Sequence, residues 1–83
     1  MDKRTIKIVC FAGLRKYFGA ETTVAVAPEA TYSDVVTKLA TANPEAKEVL
    51  KSCRIAVKEE FVPLNEKLKS VDTLFLIPPS SGG

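Results

Sequence analysis

Between residues 5 and 11 (TIKIVCF) the chain alternates, with Ile6, Ile8 and Cys10 on one side and Lys7, Val9 and Phe11 on the other. A period of two in a run rich in β-branched residues predicts a strand. Residues 12–18 (AGLRKYF) read as a short helical turn closed by Gly19, because glycine takes a left-handed backbone at a helix end without a Cβ penalty. Residues 21–27 (ETTVAVA) follow as a second strand, antiparallel to the first and stopped by Pro28.

The period then changes. Thr31-Tyr32-Ser33-Asp34 has the spacing of a capping box, with Asp34 near the positive end of the helix dipole. Val35, Val36, Leu39 and Ala40 recur at helical spacing while Lys38 and Thr41 face away, so the helix carries one apolar stripe that needs a sheet to cover. Asn43-Pro44 reads as an N-cap with proline at the first helical position, opening a second short helix over residues 44–50 that buries Ala46, Val49 and Leu50. Residues 53–58 form a third strand, Glu59-Glu60 a turn, and Phe61-Val62 a short return strand closed by Pro63. Residues 64–72 are a charged connector anchored by Leu64 and Leu68. The last strand, residues 73–77 (TLFLI), is apolar in both phases, which a strand affords only when it is central or covered. The expected fold class is α+β: one mixed sheet of four to five strands with helices on one face, over residues 1–77, followed by a flexible tail over residues 78–83.

Composition narrows the function classes. Eighty-three residues hold one domain. Twelve basic and ten acidic residues leave a net charge of +2 with no basic run, which argues against nucleic acid as a partner. No apolar stretch approaches the roughly 20 residues of a membrane span, and Met1-Asp2-Lys3-Arg4 leads straight into a strand, so a cytoplasmic protein without a membrane is expected. Cys10 and Cys53 lack a Cys-x-x-Cys spacing and there is no histidine, so no metal site, disulfide framework or Cys-His machinery is written here. Asp34, Asp72 and the glutamates fall on caps, turns and solvated faces, so the chain is not expected to be an enzyme on its own.

Pro78-Pro79-Ser80-Ser81-Gly82-Gly83 is where chemistry concentrates. Two prolines make a stiff exit from the last strand, and two glycines let an enclosing site close around the backbone without meeting a Cβ. The working group is then the carboxylate of Gly83. A carboxylate is a poor acyl donor, so it needs activation by ATP. The chain has neither Gly-x-x-x-x-Gly-Lys-Ser/Thr nor Gly-x-Gly-x-x-Gly, so it binds no cofactor and the activating enzyme is another protein.

Two segments carry a family resemblance. Phe11-Ala12-Gly13-Leu14-Arg15-Lys16-Tyr17-Phe18-Gly19 is similar to the Phe-Ala-x-hydrophobic-Arg-Glu motif of the molybdopterin synthase small subunits, the MoaD-type sulfur carriers of the ubiquitin-like β-grasp superfamily. Leu76-Ile77-Pro78-Pro79-Ser80-Ser81-Gly82-Gly83 resembles their Pro-Pro-x-x-Gly-Gly ending. The resemblance implies that Gly83 is adenylated by a ubiquitin-activating-type adenylyltransferase, converted to a thiocarboxylate by a sulfurtransferase, and inserted with Gly82 into the large catalytic subunit of a heterotetrameric synthase. There it donates sulfur to cyclic pyranopterin monophosphate in molybdenum cofactor biosynthesis. By position, Phe11, Phe61, Phe75 and Ile77 resemble the family's partner-binding surface, the alternative being that some are core; Pro78, Pro79, Ser80 and Ser81 join it through the tail, and Arg15 is either a contact to a partner's acidic group or a solvated cation at a helix end. The chain departs from the family pattern at Val57-Lys58, where Val-Asn is usual, and at Val71-Asp72-Thr73, where Gly-Asp-Glu is usual.

Three alternatives remain open at this level. A thiamine-pathway carrier would lack the residue 11–15 segment, a protein modifier would be joined to lysines through the same Gly83, and a plain β-grasp interaction module would make no use of Gly82 and Gly83.

Overall fold

The computed structural model describes residues 3–69 and 72–79. Five strands form one mixed sheet: β1 (Arg4–Cys10), β2 (Glu21–Val26), β3 (Arg54–Val57), β4 (Glu60–Val62) and β5 (Thr73–Ile77). Their order across the sheet is β2-β1-β5-β3-β4. Strand β1 pairs antiparallel with β2 and parallel with β5, while β3 is antiparallel to both β5 and β4. The both-phase apolar strand is central, as its pattern predicts. Leu74 and Leu76 are fully buried on one face and Phe75 and Ile77 half-buried on the other.

The helices are α1 (Arg15–Phe18), α2 (Tyr32–Ala42) and α3 (Lys47–Leu50), with 3-10 turns at Ala12–Leu14 and Pro44–Ala46. The expected second helix over residues 44–50 is therefore a 3-10 turn running into a single α-helical turn, with Ala46 and Leu50 buried and Val49 only half-buried. The core is formed between the helices and one sheet face. Ile6, Ile8, Cys10, Ile55, Leu74 and Leu76 meet Leu14, Tyr32, Val35, Leu39, Ala46 and Leu50. Each such large side chain removed from water contributes about 1.5–3 kcal/mol.

Helix α2 is capped as its sequence dictates. Asp34 N–H donates to Thr31 Oγ1 at 3.1 Å, and Thr31 N–H donates to Asp34 Oδ2 at 2.9 Å. The next donors are taken by the connector before β5. Tyr32 N–H reaches the Glu66 carbonyl at 3.1 Å and Ser33 N–H the Leu64 carbonyl at 2.7 Å, so an apparently loose charged segment supplies the acceptors that the first turn of a helix lacks. Lys69 N–H donates to the Tyr32 hydroxyl at 3.3 Å, and Arg4 Nη2 donates to the Lys69 carbonyl at 2.7 Å. The connector is thus held by its backbone, which corrects the expectation that Leu64 anchors it: Leu64 is 38% exposed, whereas Leu68 is partly buried against the core. Val71 lies outside the described residues. Asn43 both caps the 3-10 turn, accepting from Glu45 N–H at 3.2 Å, and donates to the Tyr17 carbonyl at 3.0 Å, tying the end of α2 to α1. Among the described residues no helix is long and apolar enough to cross a membrane.

Candidate functional site

The helices cover one face of the sheet and leave the other open. Register assigns this open face residue by residue. Val9 lies opposite Phe75, Phe75 opposite Ala56 and Ala56 opposite Phe61, with Glu21 opposite Val9 at the β2 end, so one row crosses all five strands and is apolar over four of them. In the next row toward the carboxyl terminus, Ile77 lies opposite Arg54. In the opposite direction Lys7 lies between Thr23 and Thr73. The open face is therefore polar at one end and apolar at the end where β5 runs out into Pro78 and Pro79.

Phe11, directly after β1, completes the apolar end. Its ring stacks on that of Phe75 with centroids 6.1 Å apart and planes 28° from parallel. Phe11 is 37% exposed and Phe61 57% exposed, side chains that a fold without a partner gains nothing by displaying together. Arg54 Cζ sits 5.3 Å from the Phe61 ring centroid, a cation over an aromatic face. Lys7 Nζ and Glu21 Oε1 pair at 3.0 Å across the polar end.

Of the residues singled out in the sequence, Phe11, Phe61, Phe75 and Ile77 come together on this face, and Pro78 and Pro79 leave its edge. Ser80, Ser81, Gly82 and Gly83 lie outside the described residues. Arg15 is exposed, and its Nε donates to the Cys10 carbonyl at 3.2 Å, which holds the side chain against the end of β1. Val9, Ala56 and Arg54 belong to the open face without having been singled out. The alternation of residues 5–11 already places Val9 beside Phe11, whereas Ala56 and Arg54 become visible only once β3 is registered against β5 and β4.

The backbone takes left-handed conformations next to this surface. Ala12, with φ 52°, follows Phe11, and Lys58 and Glu59, with φ 51° and 71°, form the turn between β3 and β4. Two central residues with positive φ are the mark of a type I′ hairpin turn, which Asn-Gly fits best. The Lys58 departure noted in the sequence is thus a departure at a position that strains a side chain.

Both cysteines are free and buried. Burial pushes the Cys53 thiol up to about 11, with the nearby Cys10 adding to the effect, and Cys53 Sγ donates to the Val49 carbonyl at 3.1 Å. Burial also raises Cys10, against the opposing charge of Arg15. Thiols held protonated in this way are poor nucleophiles. Among the described residues no cluster of three or more His, Cys, Asp or Glu side chains is placed to hold a metal.

The arrangement is an exposed apolar face continuous with Pro78 and Pro79 at the end of β5. A model of the ThiS family matches residues 8–83. The chain is 35% identical over 81 residues to the molybdopterin synthase sulfur carrier subunit of Chlamydomonas reinhardtii, covering 94% of this chain and 98% of that one. It is similar to the crystal structure of small archaeal modifier protein 1 from Haloferax volcanii, with a TM-score of 0.77, 27% identity, and 95% and 99% of the two chains covered. The fold also matches that of a chain in the complex of subunits 1 and 2 of the molybdopterin-converting factor from Helicobacter pylori, with a TM-score of 0.57, 24% identity, and 95% and 99% covered.

Proposed function

The chain belongs to the ThiS family and has its ubiquitin-like β-grasp fold, and from that premise we propose that it is the sulfur-carrying small subunit of a molybdopterin synthase. The working group is the carboxylate of Gly83. The observation that carries the proposal is the run of β5 from the middle of the sheet, past the apolar end of the open face, into Pro78-Pro79, after which the sequence ends in Ser80-Ser81-Gly82-Gly83. The 35% identity to the Chlamydomonas carrier supports molybdopterin as the pathway.

The chemistry follows from what a carboxylate lacks. An activating enzyme docks on the open face and encloses the tail. A Gly83 carboxylate oxygen attacks the α-phosphate of ATP, releasing pyrophosphate and leaving an acyl-adenylate. The terminal sulfur of a sulfurtransferase persulfide attacks the acyl carbon and displaces AMP, and a thiol then cleaves the S–S bond of the resulting acyl disulfide, leaving the thiocarboxylate on Gly83 and a disulfide on the donor. The same face then docks on the large synthase subunit, and the tail presents its sulfur to cyclic pyranopterin monophosphate. This chain's own residues bind and position; the enzymes that take its tail supply ATP and catalysis. The complex named for the Helicobacter subunits supports a large-subunit partner.

Intact mass tests the proposal. After incubation with ATP, the cognate activating enzyme and a sulfur donor, the protein should gain the difference between one sulfur and one oxygen. Deleting Gly83, or extending the chain beyond it, should abolish that gain and sulfur transfer while leaving the melting temperature unchanged. Full activity in an extended variant would overturn the mechanism.

A second reading is favoured by the likeness to small archaeal modifier protein 1, in which Gly83 would be joined to lysines of other proteins. The same assay separates the two, since a modifier forms isopeptide-linked conjugates with acceptor proteins and does not require a sulfur donor to do so.

A further inference from the structure

We infer that Arg54 sets partner specificity on the open face by receiving a carboxylate from an otherwise apolar patch on the protein that accepts the tail. The inference rests on the carrier reading above and gives its partner a chemistry.

Ser52, Arg54, Phe61, Ile77, Pro78 and Pro79 line a cleft of about 420 Å³ at the root of the tail. Among the described residues of that lining, Arg54 alone has an ionisable side chain. The two ion pairs among the described residues, Lys7 with Glu21 and Lys51 with Glu48, leave it out. Instead its guanidinium lies 5.3 Å from the Phe61 ring centroid. Such a contact uses the charge of the guanidinium and leaves its N–H fork available for a bidentate acceptor.

A partner that covers Phe11, Phe61 and Phe75 takes this cation out of water with them. Burying a guanidinium without a counter-charge opposes binding strongly, so a partner fitted to this face brings an anion to the cleft. A side-chain carboxylate suits the position better than a nucleotide phosphate. The reacting end, Gly83, is four residues beyond Pro79 in the sequence, and an extended chain of that length, about 13 Å, would carry a phosphate bonded to it clear of Arg54.

The test is to titrate the wild-type chain and its Arg54→Leu, Arg54→Lys and Arg54→Glu variants with the purified large subunit of molybdopterin synthase from the same organism, at low and high salt. Thermal melts of the free variants check that each is folded. Arg54→Glu should weaken binding by at least about 30-fold. Arg54→Leu should flatten the salt dependence, and Arg54→Lys should lie between it and the wild type. If Arg54→Glu fails to fold, the Lys and Leu variants decide. Wild-type binding together with unchanged affinity and salt dependence in Arg54→Leu would overturn the inference and leave the carrier reading standing. Absence of wild-type binding would remove both. A melting temperature raised by inorganic phosphate in the wild type and not in Arg54→Leu would assign the cleft to phosphate and overturn the carboxylate.

Discussion

Cys53 illustrates how the environment of a single residue makes it a measurable reporter. Its thiol is pushed from an ordinary 9.0 up to about 11 because the charged form would sit in the core. In the unfolded chain the proton leaves from about pH 9, while the folded chain keeps it until about pH 11, so the unfolded state binds fewer protons across that window and stability falls as pH rises through it. Stability attributable to this group is intact below pH 9 and declines by on the order of 2 kcal/mol toward pH 11. Denaturant unfolding of wild type and Cys53→Ala from pH 8 to 11 checks this: the cavity cost of the alanine is constant with pH, so the gap between the two should narrow as pH rises. A gap that stays constant would mean that the thiol is not held protonated. Arg15 teaches a different lesson at the same scale. Its Nε is fixed by the Cys10 carbonyl, a backbone tie that its place beside the Phe-Ala segment did not announce.

Among the elements, the β3–β4 hairpin is the most improvable. Its two turn residues, Lys58 and Glu59, both carry a Cβ at positive φ, where an L-residue pays about 1–2 kcal/mol relative to its relaxed backbone. Replacing them together, Lys58→Asn with Glu59→Gly, should raise the unfolding free energy by about 1 kcal/mol at unchanged denaturant slope. The added glycine entropy in the unfolded chain keeps the gain below the full strain. A loss of stability would show that the side chains there make contacts outweighing the strain. Helix α2 is the opposite case, since its start is over-determined: the capping box satisfies donors locally, and the Leu64 and Glu66 carbonyls satisfy the next ones from a segment some 30 residues away. That second set of bonds turns the connector into part of the scaffold that delivers β5 to the centre of the sheet.

On the scale of the molecule, the helices cover one sheet face and leave the other open, with Pro78 and Pro79 following β5 at its apolar end. Stability and docking should therefore separate by mutation. Phe61→Asp, on the edge strand and 57% exposed, should cost less than about 1 kcal/mol of stability yet weaken binding to the large synthase subunit by at least about tenfold. Phe75→Asp, half-buried in the central strand and stacked on Phe11, should cost more stability and weaken binding comparably. The check is to measure both variants by thermal melts and by calorimetric titration. If Phe61→Asp destabilised the fold and left binding intact, the open face would be a packing surface and not a docking one.

The sequence by itself determined the strand alternation of β1, the capping box of α2, the turn at Gly19, the two-sided apolar character of β5 and the terminal Pro-Pro-Ser-Ser-Gly-Gly, because each is a local pattern whose physical reading needs no neighbour. Alternation put Phe11 on one side of β1 and Phe75 with Ile77 on one side of β5, the family resemblance implied a common surface, and the β1–β5 register brings them to the same face. Only the tertiary structure decided the strand order, the docking of the connector on α2, the exposure of Leu64 and the meeting of Arg54 with Phe61 beside the tail. These depend on register between strands distant in sequence and on which backbone donors remain unsatisfied after local structure forms. Such long-range pairings are chosen by the packing of the whole chain, and no single segment records them.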